Sequence, residues 1–142
     1  MRIDIVTLFP EMCENLLAES IIGRARARGH LQVCCHQLRR WGEGPHKRVD
    51  DCTFGGGKGM LLMAEPIAQA FEAVAEHTGV RPHILYMSPR GRVLDQEKVK
   101  TLAGYENLLI LCGHYEGVDE RVLEEYGVEE LSIGEFVLTG GE

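Results

Sequence analysis

Apolar and polar residues change period several times along this chain of 142 residues, and each change marks an element. Arg2–Leu8 alternates in the manner of a strand and stops at Phe9-Pro10. Pro10 suits the first turn of a helix, and Met12, Leu16, Leu17, Ile21 and Ile22 then recur at helical spacing as far as Gly29. Leu31–Leu38 is β-favourable and predicts a second strand. From Arg39 to Gly59 the periodicity vanishes, which predicts a loop of about twenty residues, a length that compact domains reserve for function or disorder. A helix returns over Ala64–His77. A strand over His83–Met87 enters Ser88-Pro89-Arg90-Gly91, and Asp95 is placed to cap a helix carrying Val99 and Leu102. Leu108–Cys112 is a further apolar strand, running into Gly113-His114-Tyr115-Glu116-Gly117. A helix over Asp119–Tyr126 and a strand over Glu130–Ile133 complete the pattern.

Strands alternating with helices predict a single α/β domain with a mostly parallel sheet. The last three strands each run into a loop containing Gly or Pro, and in open parallel sheets ligands sit outside the carboxyl ends of strands. Three such loops are therefore a candidate site by pattern alone.

Composition narrows the chemistry. No apolar run reaches the roughly 20 residues that cross a bilayer, and Met1–Ile5 has no signal-peptide core, so a cytoplasmic protein with no membrane partner is expected. The five cysteines (Cys13, Cys34, Cys35, Cys52, Cys112) contain no CxxC pair and read as reduced, mostly buried thiols, with no metal site expected. A net charge of −7 argues against non-specific nucleic-acid binding. The charge is uneven, however: residues 1–60 hold nine Lys/Arg against seven Asp/Glu, and residues 61–142 hold six against fifteen. That clustering permits a local phosphate-binding surface on an acidic protein, although composition alone favours a solvated helix face and loop.

Several motifs fail in detail. Gly55-Gly56-Gly57-Lys58-Gly59 lacks the Ser or Thr that a phosphate-binding loop needs after its Gly-Lys. The glycine run frees backbone for close approach by a ligand or chain, and simple flexibility explains it equally. No GxGxxG follows the first strand, and no GxSxG surrounds Ser88. Glu116 and Asp119 flank Gly117, a pair that by itself reads as solvated turn carboxylates more readily than as an acid/base couple.

Taken together, MRIDIVTLFPEM, KRVDDCTFGGGKGM, LYMSPRG, LLILCGHYEGVDERV and LSIGEFVLTGGE resemble, in order and spacing, the bacterial tRNA (guanine-N1)-methyltransferases over all 142 residues. The resemblance implies a SPOUT methyltransferase domain over residues 1–142, with a deep C-terminal trefoil knot, that acts as a homodimer on tRNA. It implies S-adenosylmethionine as cofactor and methylation of N1 of the guanosine 3′ to the anticodon. By position, Tyr86, Met87, Ser88, Pro89 and Gly91 would form one wall of the cofactor site, and Gly113, Tyr115, Glu116 and Gly117 a second. Ser132, Ile133, Gly134, Glu135, Phe136, Val137 and Leu138, with Gly140 and Gly141, would form the third. Glu116 would support catalysis. Arg48, Asp50, Gly55, Gly56, Gly57, Lys58 and Gly59 would lie near the target nucleotide of the tRNA, with Lys58 standing where the family often has Pro or Ala.

The family's aspartate base and helical tRNA-contacting domain fall beyond residue 142. The chain by itself is accordingly expected to bind cofactor with little or no turnover. The rival readings are a SPOUT methyltransferase acting on another RNA position, and a non-catalytic dimerisation or RNA-binding module.

Overall fold

The computed structural model describes residues 1–53 and 57–142. Five strands form one sheet: β1 (Arg2–Thr7), β2 (Gln32–Gln37), β5 (His83–Val93), β6 (Asn107–Cys112) and β7 (Glu129–Ser132). Their order is β2-β1-β6-β5-β7, and every neighbouring pair is parallel, as the alternation of strands and helices predicted. A second, two-stranded antiparallel sheet pairs β3 (Asp50–Cys52) with β4 (Met60–Leu62). The helices are α1 (Pro10–Leu17), α2 (Ser20–Ala27), α3 (Ala64–Thr78), α4 (Gln96–Leu102) and α5 (Glu120–Tyr126), with a 3-10 helix at Leu38–Trp41. Among the described residues no helix is long and apolar enough to cross a membrane.

Alternation along each strand divides the core between the two faces of the sheet. Val6, Ile84, Tyr86, Leu109 and Leu111 pack with Ile67, Phe71 and Val74 of α3 and Val122 and Leu123 of α5. On the other face Ile5, Val33 and Cys112 pack with Cys13 of α1, and Leu85, Leu108 and Leu131 with Leu102 of α4. Asp95 caps α4 as its position implied, Oδ1 accepting from the Lys98 amide at 2.7 Å. Burial pushes the Cys35 thiol up to about 12 and raises Cys13 and Cys112 as well, whereas Cys52 is exposed.

Three expectations need correcting. The helix drawn from Pro10 to Gly29 is two helices, broken at Ala18-Glu19, with Ser20 at a φ of 55°. Of its apolar positions, Leu17 packs against the cluster around Cys13, the buried residue of α1, whereas Met12, Leu16 and Ile21 are 57%, 75% and 69% exposed. The segment from Arg39 to Gly59 is not one irregular loop, since it holds part of the 3-10 helix, a turn closed by Glu43 and Arg48, and β3. Leu38 and Val49 anchor it with no exposed surface at all. Lastly, β5 does not stop at Met87. It continues to Val93 through a bulge in which Leu131 is opposite both Met87 and Arg92, so Ser88-Pro89-Arg90-Gly91 is pushed out of the ladder.

One polar cluster is built into the first face. Asp4 is 1% exposed, and Arg2 grips its carboxylate with Nε at 2.7 Å and Nη2 at 2.9 Å. His36 Nε2 lies 2.7 Å from Oδ1. Burial alone would raise the Asp4 pKa, but hydrogen bonds from His36 and Arg2 outweigh it and hold the carboxyl below its usual range. A depressed carboxylate contributes stability above its unfolded value near pH 4, and that contribution is lost as pH falls through the lower folded value. Asp4→Ala should therefore cost about 3 kcal/mol at pH 7 in urea denaturation. The gap from wild type should narrow below about pH 4.

Candidate functional site

Because β5, β6 and β7 are adjacent and parallel, the segments at their carboxyl ends meet on one side of the sheet. The bulge at residues 88–91 forms the first wall, with the buried Ser88 accepting the Arg90 amide on Oγ at 3.2 Å. The second wall is the turn after β6, where Tyr115 holds a φ of 60°. A tyrosine in the left-handed region is uncommon, and such strain persists where surrounding structure imposes it. After β7 the chain crosses back over the sheet as the third wall. Ser132 Oγ donates to the Gly134 carbonyl at 2.7 Å to turn it, His114 pairs with Gly140, and the Gly141 amide donates to the Gly113 carbonyl at 3.0 Å. Thr7 Oγ1 then donates to Glu142 at 2.6 Å, so the returning segment reaches the end of β1.

The three walls enclose a cleft of about 930 Å³, in the size range of small-molecule sites. Tyr86, Met87, Ser88 and Pro89 line it from the first wall, and Gly113, Tyr115, Glu116 and Gly117 from the second. Ser132, Ile133, Phe136, Val137, Leu138, Gly140 and Gly141 line it from the third. Gly91, Gly134 and Glu135 belong to the same segments but lie outside the cleft walls. Leu61, Arg90 and His114 line the cleft without having been singled out in the sequence. His114 was legible from its place between Gly113 and Tyr115, whereas nothing local marks Leu61, which arrives on β4.

That arrival joins the glycine-rich segment to the cleft. Backbone bonds run from the Glu116 amide to the Met60 carbonyl at 2.9 Å, from the Leu62 amide to Gly117 at 2.9 Å, and from the Asp119 amide to Leu62 at 3.0 Å. Gly59, at a φ of 101°, presses on Glu116: a Cβ there would lie 2.3 Å from Glu116 Cγ. Lys58 and Gly59 are exposed beside that contact, and the Gly57 carbonyl accepts from Thr53 at 2.8 Å. Asp50 opens β3 opposite Leu62. Arg48 is engaged by Glu43 at 3.3 Å and lies 4.0 Å from Asp51. Gly55 and Gly56 lie outside the described residues.

The charged groups around the cleft divide by role. Asp119 caps α5, accepting the Arg121 amide at 3.1 Å and the Arg121 guanidinium at 2.6 Å, and those bonds hold its carboxyl below the usual range. Both of its carboxylate oxygens are engaged by Arg121. Glu116 is exposed at the rim. Arg90 spans Glu120 at 3.0 Å and Glu130 at 3.2 Å, tying the bulge to α5 and β7. Burial, and next the nearby Glu130, push the Tyr86 phenol up.

The fold and the cleft define an α/β protein with an open cleft outside the carboxyl ends of a parallel sheet, the place where ligands sit in such folds. The model of the family described as tRNA (Guanine-1)-methyltransferase TrmD matches residues 1–142. The chain belongs to the tRNA (guanine-N1)-methyltransferase family.

A tRNA (guanine-N(1)-)-methyltransferase of Ruminiclostridium cellulolyticum is 49% identical over 142 residues, which are 100% of this chain and 61% of the relative. That of Geobacter sulfurreducens is 48% identical over 143 residues, 100% of this chain and 58% of the relative. The crystal structure of tRNA (m1G37) methyltransferase from Aquifex aeolicus aligns with a TM-score of 0.89 at 38% identity, covering 99% of this chain and 63% of that one. The chain thus spans roughly three fifths of the length of these relatives.

The absent side chain at Gly113 is a sharp test of the cleft. A Cβ there would lie 2.6 Å from Tyr86 Cε2 and 2.9 Å from its hydroxyl. Gly113→Ala should destabilise the protein by about 1–3 kcal/mol in thermal denaturation. Combined with Tyr86→Ala, the costs should be clearly less than additive, because removing the ring removes the clash.

Proposed function

We propose that this chain is the S-adenosylmethionine-binding part of an enzyme that methylates N1 of the guanosine 3′ to the anticodon in tRNA. The observation that carries the reading is the junction of two surfaces. The three-loop cleft and the glycine-rich segment share the backbone bonds between residues 60–62 and 116–119, in a chain of this family.

The residues present suit the proposed cofactor. Backbone groups of Gly113, Gly117 and Gly140 offer polar edges without side-chain obstruction, and Ile133, Phe136 and Leu138 offer apolar surface for a ring. S-adenosylmethionine, when bound, supplies a methyl group on an electrophilic sulfonium. The walls would hold the ligand, exclude water and fix its orientation relative to the target base, which is where much of the rate gain of a positioned reaction arises. N1 of guanine carries a proton at neutral pH, so a carboxylate must remove it. Glu116, at the rim beside Gly59, would place the base or support the group that removes the proton. Asp119 is committed to Arg121. Arg48, Asp50 and Gly57–Gly59 would border the extruded nucleotide, held by stacking and hydrogen bonds.

The same reading includes a trefoil knot, a homodimer and a cytoplasmic setting. The return of residues 133–142 across the sheet to Gly113 and Thr7 is the path that a knotted C-terminal segment would take. The exposed stripe Met12, Leu16 and Ile21 is the surface that a second copy would cover.

Calorimetric titration with S-adenosylmethionine should give saturable binding, and Gly113→Trp should abolish it by filling the cleft. Unchanged binding by that variant would put the cofactor elsewhere. With the full-length protein, methylation mapping of tRNA should report modification at N1 of the guanosine 3′ to the anticodon, and modification at another base would refute the assignment. Leu16→Glu should shift the protein from dimer to monomer in light scattering.

A further inference from the structure

The 3-10 helix at Leu38–Trp41 leaves the carboxyl end of β2, the same end of the sheet that carries the cleft. In such a helix residues three apart lie on one side. Leu38 is fully buried in the main core and Trp41 packs against it, so the two anchor that side. Arg39 and Arg40 are left exposed on the others. Their backbone is held firmly: Gln37 Oε1 accepts the Arg39 amide at 3.2 Å, while Gln37 Nε2 donates to the Leu8 carbonyl at 2.9 Å.

Electrostatics make this display unusual in so acidic a chain. Residues 38–48 hold four cations, Arg39, Arg40, Lys47 and Arg48, against the single acid Glu43, and Arg48 takes that acid. Among the described residues no ion pair involves Arg39, Arg40 or Lys47. Two exposed guanidinium groups on a firmly held backbone each present a planar fork matched to phosphate oxygens. From β2 to β6, whose end opens into the cleft, is two strand spacings, roughly 10 Å.

Resting on the proposed function, we infer that Arg39 and Arg40 grip the RNA phosphodiester backbone beside the target nucleotide, positioning the substrate without reading its sequence. Contacts of this kind set register and orientation. Each phosphate neutralised releases counterions and adds to the salt dependence of binding.

The test measures tRNA affinity of the full-length protein by filter binding across about 50–300 mM salt. The variant Arg39→Ala/Arg40→Ala is compared with Arg81→Ala/Lys100→Ala. The second pair removes the same charge from exposed positions before the amino ends of β5 and β6, at the opposite end of the sheet from the cleft. The first pair should weaken binding roughly tenfold or more at about 100 mM salt and make the log–log salt slope shallower by about 1.4–1.8, with S-adenosylmethionine affinity unchanged. The control pair should stay near wild type.

Equal losses in both pairs would reduce the effect to net charge and overturn the inference. So would wild-type tRNA binding by Arg39→Ala/Arg40→Ala, or a parallel loss of cofactor affinity. A wild-type protein that binds no tRNA would sink the proposed function as well, whereas tRNA binding indifferent to Arg39 and Arg40 would sink this inference alone.

Discussion

Strand β6 lies between β1 and β5, parallel to both, and its register with each fixes where every loop of the site begins. Arg2 to Val6 of β1 align with Asn107 to Leu111, and His83 to Met87 of β5 align with Leu108 to Cys112. Leu108, Leu109, Leu111 and Cys112 are buried, serving the cores on both faces, so a one-residue slip would turn each apolar side chain to the wrong side. The same register sets Gly113 beside the Tyr86 ring, where the lack of a Cβ lets the walls close. The cleft is a consequence of that alignment.

A second ladder builds on the first. Because the turn after β6 is held in place, its amides and carbonyls can pair with Met60 and Leu62, drawing Gly59 to the rim beside Glu116. The strained backbone at Tyr115 and the contact between Gly59 and Glu116 sit at this junction, where two chain segments compete for one space. The long connection between β2 and α3 is therefore held at several points, by Leu38, Val49 and β4, while its cations face solvent. Rigid anchoring with outward charge is how a phosphate surface can exist on a protein of net charge −7.

Much of the architecture was legible because period and punctuation agreed. Strands β1, β2, β6 and β7 and helices α3, α4 and α5 fall within a residue or two of the pattern, and Asp95 caps where its spacing implied. The exposure of Met12, Leu16 and Ile21 was not legible, since periodicity records amphipathicity and not what lies opposite. The break at Ala18-Glu19 carries no Gly or Pro to announce it.

The sequence by itself determined the parallel α/β class, the three loops that wall the cleft and the family to which their motifs belong, because these depend on local propensity and short spacing. Only the tertiary structure decided that Ser88–Gly91 is a bulge within β5 and that Asp119 serves Arg121. The approach of Leu61 and Gly59 to the loop of Glu116, and the lack, among the described residues, of an ion pair at Arg39 or Arg40, were likewise decided there. The bulge and the approach to Glu116 join residues distant in the chain and are set by strand order and register, which no local pattern encodes.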